Sequence, residues 1–100
     1  MYMKIMIDNR FDFKKDEFIY FSPYDCEQLL LEESSLFSLK NNSNKLYVGK
    51  VLDVINNKVQ IEVDKGSVWS ELFIESLNNN FINKKLYCKS FNNGKILYLK

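Results

Sequence analysis

The sequence predicts an α+β domain: an antiparallel sheet of about six strands with two helices, in the order ββαββαββ. Two hairpin signatures lead there first, Asn56-Asn57 and Asn92-Asn93-Gly94, each flanked by apolar runs. The second indication is a helix start at Ser22-Pro23, and the third is a segment from Gly66 whose apolar residues recur at helical spacing.

Met3 to Ile7 and Glu17 to Phe21 are short runs rich in Ile and Phe, separated by a polar stretch carrying Asn9, Asp12, Lys14 and Lys15. They read as two strands and a connection. Ser22 then caps a helix, with Pro23 in its first position and Asp25 complementing the dipole. Cys26, Leu29, Leu30 and Phe37 fall on its core face and Asp25, Gln28 and Glu32 on the other, where Leu31 is out of place. After a polar loop over 40–45, the strands Leu46 to Ile55 and Lys58 to Asp64 meet at Asn56-Asn57. A two-residue turn there opposes Val54 to Val59 and Leu52 to Ile61, leaving Lys58, Gln60, Glu62 and Asp64 facing water. A second helix starts at Gly66-Ser67, buries Trp69, Leu72, Phe73 and Leu77, and ends at Asn78-Asn79-Asn80. The chain closes with a hairpin, Lys84 to Phe91 and Lys95 to Lys100.

At 100 residues the expectation is one compact domain over 1–100, large enough to bury a modest core without disulfides or metal. Hydrophobic residues make up 46% and aromatics 15%, which supplies that core, while the longest apolar runs are too short to span a bilayer. Asp8 interrupts the opening apolar run too early for a secretory signal, so the expected location is cytoplasmic. Cys26 and Cys88 are widely spaced and read as two buried thiols in a reducing compartment. Twelve Asn, with only five residues in total from Ala, Arg, Gly and Pro, point to an AT-rich genome of a low-GC bacterium, its phages or a comparable parasite.

His, Thr and Ala are absent and Arg10 is the single arginine, so the usual instruments of acid–base and phosphate chemistry near neutral pH are missing. The nearest approach to a metal-nuclease pattern is Asp53 with Glu62, Asp64 and Lys65, but Val63 stands where that pattern needs a carboxylate two residues before the lysine. The chain reads as a non-enzyme with no cofactor.

The net charge of +1 conceals two blocks. From Asp16 to Leu39 there are six acids and no base, and from Phe81 to Lys100 five lysines and no acid. Such blocks either neutralise each other within one fold or present two surfaces to partners. The leading expectation is a small protein-binding domain, a phage- or mobile-element-type inhibitor or adaptor acting on a host nucleic-acid-handling protein. Its contact surface would be acidic: Asp16, Glu17, Asp25, Glu27, Leu31 and Glu32. The alternative is an RNA- or single-stranded-DNA-binding domain using the last hairpin. With Asn93-Gly94 as the turn, Phe91 pairs with Ile96 and Lys89 with Tyr98. One face then carries Lys85, Tyr87, Lys89, Phe91, Ile96, Tyr98 and Lys100, lysines for phosphates and aromatics for bases. A homodimer is also compatible with the sequence.

Overall fold

The computed structural model describes residues 1–28, 46–78 and 81–100, excepting the side chain of Leu46. It is a small α+β fold with a six-stranded mixed sheet and, among the described residues, one helix of ten residues. The strands are β1 (Tyr2–Asp8), β2 (Phe18–Ser22), β3 (Leu46–Ile55), β4 (Lys58–Asp64), β5 (Leu86–Phe91) and β6 (Gly94–Leu99), and the helix is α1 (Val68–Leu77). Their order across the sheet is β1-β4-β3-β2-β6-β5.

The expectation of an antiparallel sheet is corrected at one pair. β2 and β6 lie side by side in parallel, Phe18 against Gly94 through Ser22 against Tyr98, while every other neighbouring pair is antiparallel. Both strands are interior to the sheet and covered on both faces, which explains their composition. FIYFS and GKILYL are nearly continuous apolar runs instead of alternating ones.

One face carries the main core. Ile19, Phe21, Val48, Val51, Val59, Ile61, Val63, Leu97 and Leu99 meet Phe73 of α1 there, with Leu72, Ile74 and Leu77 packed against the same cluster. The helix lies across β2 and β3 and buries Ser70 and Ser76 beside Phe73, small side chains that suit a close approach to the sheet. Trp69 is only half-buried, so the helix is anchored by Phe73 and not, as its size suggests, by the tryptophan. The start at Ser67 is as expected: its side chain accepts a hydrogen bond from the Ser70 N–H at 3.3 Å, and Gly66 takes the left-handed φ of 103° before it. Phe13, from the connection that reads as polar, is 1% exposed in this core. Asn9 pins it there by accepting from the Phe13 N–H at 2.7 Å and donating to the Phe13 carbonyl at 3.2 Å.

The central hairpin has the expected bounds and the expected Val54–Val59 pair, and Asn56 adopts φ 52° at the turn. The expected Leu52–Ile61 pair is replaced by Val51–Ile61, because a bulge between Val51 and Asp53 leaves Leu52 extra. A second irregularity, against β2, leaves Val48 extra between Tyr47 and Gly49. The two together let Val48, Val51 and Val54, spaced three apart, all reach the core. Gly49 sits at the tightest point: an added Cβ would lie 2.0 Å from the Glu62 carbonyl oxygen.

The first predicted helix lies mostly outside the described residues, but its start is described and differs from expectation. Ser22 ends β2, and its hydroxyl bonds to Tyr24; Asp25 accepts from the Glu27 N–H at 3.0 Å, and residues 27 and 28 are helical. The helical residues therefore begin at Glu27, four positions later than the predicted start at Pro23, with the Asp25 carboxylate bonded to the first of them. The last hairpin also turns one residue earlier, at Asn92-Asn93, pairing Phe91 with Gly94, Lys89 with Ile96 and Tyr87 with Tyr98. The displacement from the expected register is two residues, so each side chain keeps its predicted face.

Where β2 and β6 begin, Lys95 and Glu17 form an ion pair with Nζ 3.0 and 2.8 Å from the two carboxylate oxygens. Their side chains are 7% and 12% exposed. The Glu17 carboxylate also accepts the Lys14 N–H at 2.5 Å, so it takes three contacts from two donor groups. Removing one member of a buried pair strands the other, at a cost of about 3–5 kcal/mol, whereas replacing both by apolar groups is often neutral. Lys95→Met alone should therefore lower unfolding free energy in urea by about 3–5 kcal/mol. Glu17→Leu combined with Lys95→Met should recover most of that loss. Additive losses in the double variant would show that the pair is not coupled.

Candidate functional site

The two charge blocks meet. Glu17 is taken by Lys95, and Glu27 by Lys100, whose ammonium its hydrogen bond holds above the ordinary lysine range. Asp16 stands 4.0 Å from Lys50, and Asp25 accepts from the Glu27 N–H through Oδ1. Three of the six residues expected to form an acidic contact surface thus face lysines of the same chain, Asp25 stays exposed, and Leu31 and Glu32 lie outside the described residues.

The lysine and aromatic face of the last hairpin is likewise occupied by its own neighbours. Tyr98 is 6% exposed and Ile96 fully buried, in a second cluster with Tyr20 and Cys26 that Tyr47 and Phe91 flank. This corrects the expectation of Tyr98 as an open stacking platform: β6 is an inner strand, and Tyr20 and Cys26 pack with Tyr98 on that side. Burial pushes the Tyr98 hydroxyl up, as it does those of Tyr20 and Tyr47. Tyr87, 39% exposed, stacks on Tyr98 at 5.8 Å with an interplanar angle of 23°, and Lys100 lies 5.6 Å from its ring centre. Lys89 covers the Phe91 ring at 5.3 Å. Lys85 is exposed at the strand end, where its backbone exchanges two hydrogen bonds with Lys100.

A different surface remains open, at the start of α1. Tyr24 is 64% exposed and meets Trp69 edge to face, ring centres 5.9 Å apart at 77°. Val68, in the first helical position, is 69% exposed. Val68, Glu71 and Glu75 follow one another on the outward face of α1, a helix with two acids and no base, and Asp25 adjoins Tyr24 in the chain. The chain direction places this group: Pro23 is buried and turns the backbone out of β2, so Tyr24 arrives over the first turn of the helix. None of Tyr24, Val68, Glu71 or Glu75 stands out from sequence. The one signal is an aromatic residue directly after the proline that ends an apolar strand.

Arg10 does structural work. Its guanidinium donates to the Leu77 carbonyl at 3.3 Å, serving the C-terminal end of a helix with no base in its own last turn, and stacks 5.3 Å from the Phe11 ring. Beside it a cleft of about 300 Å³ is lined by Met6, Ile7, Asp8, Arg10, Lys58, Leu77 and Asn78. Asp8 and Lys58 pair there, and Lys58 holds the Asp8 carboxyl below the ordinary range. Among the described residues, no group of three or more Cys, Asp or Glu is placed to hold a metal ion, and no helix is long and apolar enough to cross a membrane.

Comparison with protein-family models, curated proteins and solved structures finds no match to this chain.

The thiols sit on opposite faces of the sheet, Cys26 buried in the second cluster and Cys88 half-buried against the main core. Burial pushes the Cys88 thiol from 9.0 up to about 11, with Lys95 opposing and Glu17 adding to the shift. At pH 8 its thiolate fraction is then about a hundredfold below that of an ordinary cysteine with the lower value. Labelling of native protein by a thiol reagent should be slow at both positions, becoming fast only on denaturation. Because the folded value lies above the unfolded one, the contribution to stability is intact below pH 9 and is lost as pH rises from 9 towards 11. The thermal midpoint should fall across that window, less steeply in Cys88→Ala, with the raised tyrosines adding to the fall above pH 10. Rapid labelling of Cys88 at pH 8, or a midpoint indifferent to pH over this range, would contradict the placement.

Proposed function

We propose that this chain is a non-enzymatic protein-binding domain, an inhibitor or adaptor of the phage or mobile-element kind. Its partner is a basic face on a host protein that handles nucleic acid. The observation that carries the reading is the exposed Tyr24 set edge to face on the half-buried Trp69, with exposed Val68 next in the helix and Asp25, Glu71 and Glu75 as the neighbouring acids. Large aromatic side chains held rigid at a surface are the groups that most often dominate binding energy between proteins. Acids around them speed encounter with a basic partner and set its orientation. The acidic surface anticipated from sequence is thereby moved from the strand end at Asp16 and Glu17 to the outward face of α1, since Glu17 and Glu27 are held by lysines of the same chain.

The nucleic-acid reading is less well supported. Tyr98 is buried, Tyr87 and Phe91 already carry lysines on their rings, and Lys100 is paired with Glu27. Base stacking would require these contacts to be given up first.

The test compares wild type, Tyr24→Ala/Val68→Ala and Glu71→Lys/Glu75→Lys in affinity capture from a low-GC bacterial lysate, with and without nuclease. Labelled single-stranded RNA is titrated in parallel. All substituted positions are exposed, so folding should change by less than about 0.5 kcal/mol per site. The expected result is a protein captured by wild type despite nuclease, with at least tenfold weaker recovery by either double variant. RNA binding by wild type that is lost in Lys85→Glu/Lys89→Glu would overturn the reading in favour of the last hairpin.

A further inference from the structure

We infer that two copies of this chain join edge to edge through β1, in antiparallel register centred on Met6. Among the described residues β1 is one border of the sheet, and its seven residues pair with β4 without a bulge or register shift. Natural edges are usually blunted by a proline, a bulge or charged side chains, lysine above all. β1 has neither proline nor bulge, and its two charges, Lys4 and Asp8, are opposite in sign, so against a second copy they can attract instead of repel.

The hydrogen-bonding groups are correctly aimed. Met1 O accepts from Lys65 N, and Asn9 N donates to Asn57 O, so the odd-numbered residues of this segment face β4. Tyr2, Lys4, Met6 and Asp8 therefore turn their N–H and C=O groups outward, where an added strand would meet them. The Asp8 carbonyl accepts from Arg10 N and retains its second lone pair.

The segment Lys4-Ile5-Met6-Ile7-Asp8 complements itself when reversed. About a two-fold axis at Met6, Lys4 faces Asp8 of the second copy, Ile5 faces Ile7, and Met6 faces Met6, with each pair on a common face of the joined sheet. Met6 is 58% exposed in the single chain, and Ile5 and Ile7 pack against the main core while half-open at its border. Pairing covers all three. It also extends the six-stranded sheet to twelve strands with no unpaired strand at the join. The Asp8 carboxylate holds Lys58 through Oδ1, leaving Oδ2 for the incoming Lys4. In the neighbouring register, centred on Ile5, Lys4 would instead face Met6 and stand diagonal to both Lys4 and Asp8 of the second copy, losing its directly opposed carboxylate. Apolar cover and backbone bonds supply the attraction, and the two Lys4–Asp8 pairs select the register.

This inference is independent of the surface at the start of α1, which lies on another element. Its test is sedimentation velocity of the full chain over a dilution series, alongside Lys4→Glu and Asp8→Lys. Wild type should move to about twice the monomer mass as concentration rises. Lys4→Glu places two acids opposite each other and Asp8→Lys two bases, so each alone should need at least tenfold higher concentration to associate. Mixed in equal amounts, the two variants should form a heterodimer near the wild-type midpoint. In that heterodimer the carboxylate introduced by Lys4→Glu faces the ammonium introduced by Asp8→Lys, and the unchanged Asp8 of the first variant faces the unchanged Lys4 of the second. Recovery on mixing also shows that both variants fold. A wild type that stays monomeric throughout, single variants that associate as wild type does, or a mixture no better than its components would each overturn the proposal.

Discussion

The fold depends on a parallel contact between two strands that the chain keeps far apart, β2 and β6, and on the ion pair at its mouth. Glu17 and Lys95 are 78 residues apart and almost sealed from water. Two charges at that depth persist only when each is paired and hydrogen-bonded. Glu17 meets this with three contacts, two from Lys95 Nζ and one from the Lys14 N–H, and the ladder begins immediately beyond, where Phe18 N donates to Asn93 O at 3.0 Å. From this junction the remaining order follows. β3 and β4 extend one side of β2 to the border strand β1, β5 extends β6 to the other border, and α1 crosses the core face between them.

The antiparallel parts were legible because their information is local. Asn56-Asn57 fixed a hairpin whose bounds are those expected, and the alternation of Val59, Ile61 and Val63 with polar residues named the core face of β4. The last hairpin tolerated a misplaced turn because its error of two residues preserves side-chain parity. What escaped was non-local. No local pattern states that β2 runs alongside β6, although both strands carry the sign of double-sided burial in their unbroken apolar runs. Val48, Val51 and Val54, spaced at three, require two bulges that a strict period of two does not anticipate.

The candidate surfaces follow the same division. Charge segregation was visible in the sequence, but whether the blocks face outward or each other depends on which strands adjoin. Glu17 with Lys95 and Glu27 with Lys100 turn much of it inward. Trp69 reads as a core residue by size, yet Phe73, one turn later, takes the core, and Trp69 is left to meet Tyr24. The only arginine is likewise spent on the fold, at the end of α1. The surfaces left open are those whose side chains the fold does not use.

The most direct test of this account is native-state amide hydrogen exchange, read residue by residue, on wild type and Lys95→Met. If the β2–β6 junction holds the sheet together, amides of Ile19 to Phe21 and Ile96 to Tyr98 should rank among the most protected and open as one unit. Loss of Lys95 should lower protection in both strands by the same factor. Exchange in β6 that weakens while β2 stays at its wild-type protection would show that the last hairpin is a separate unit and would contradict the account.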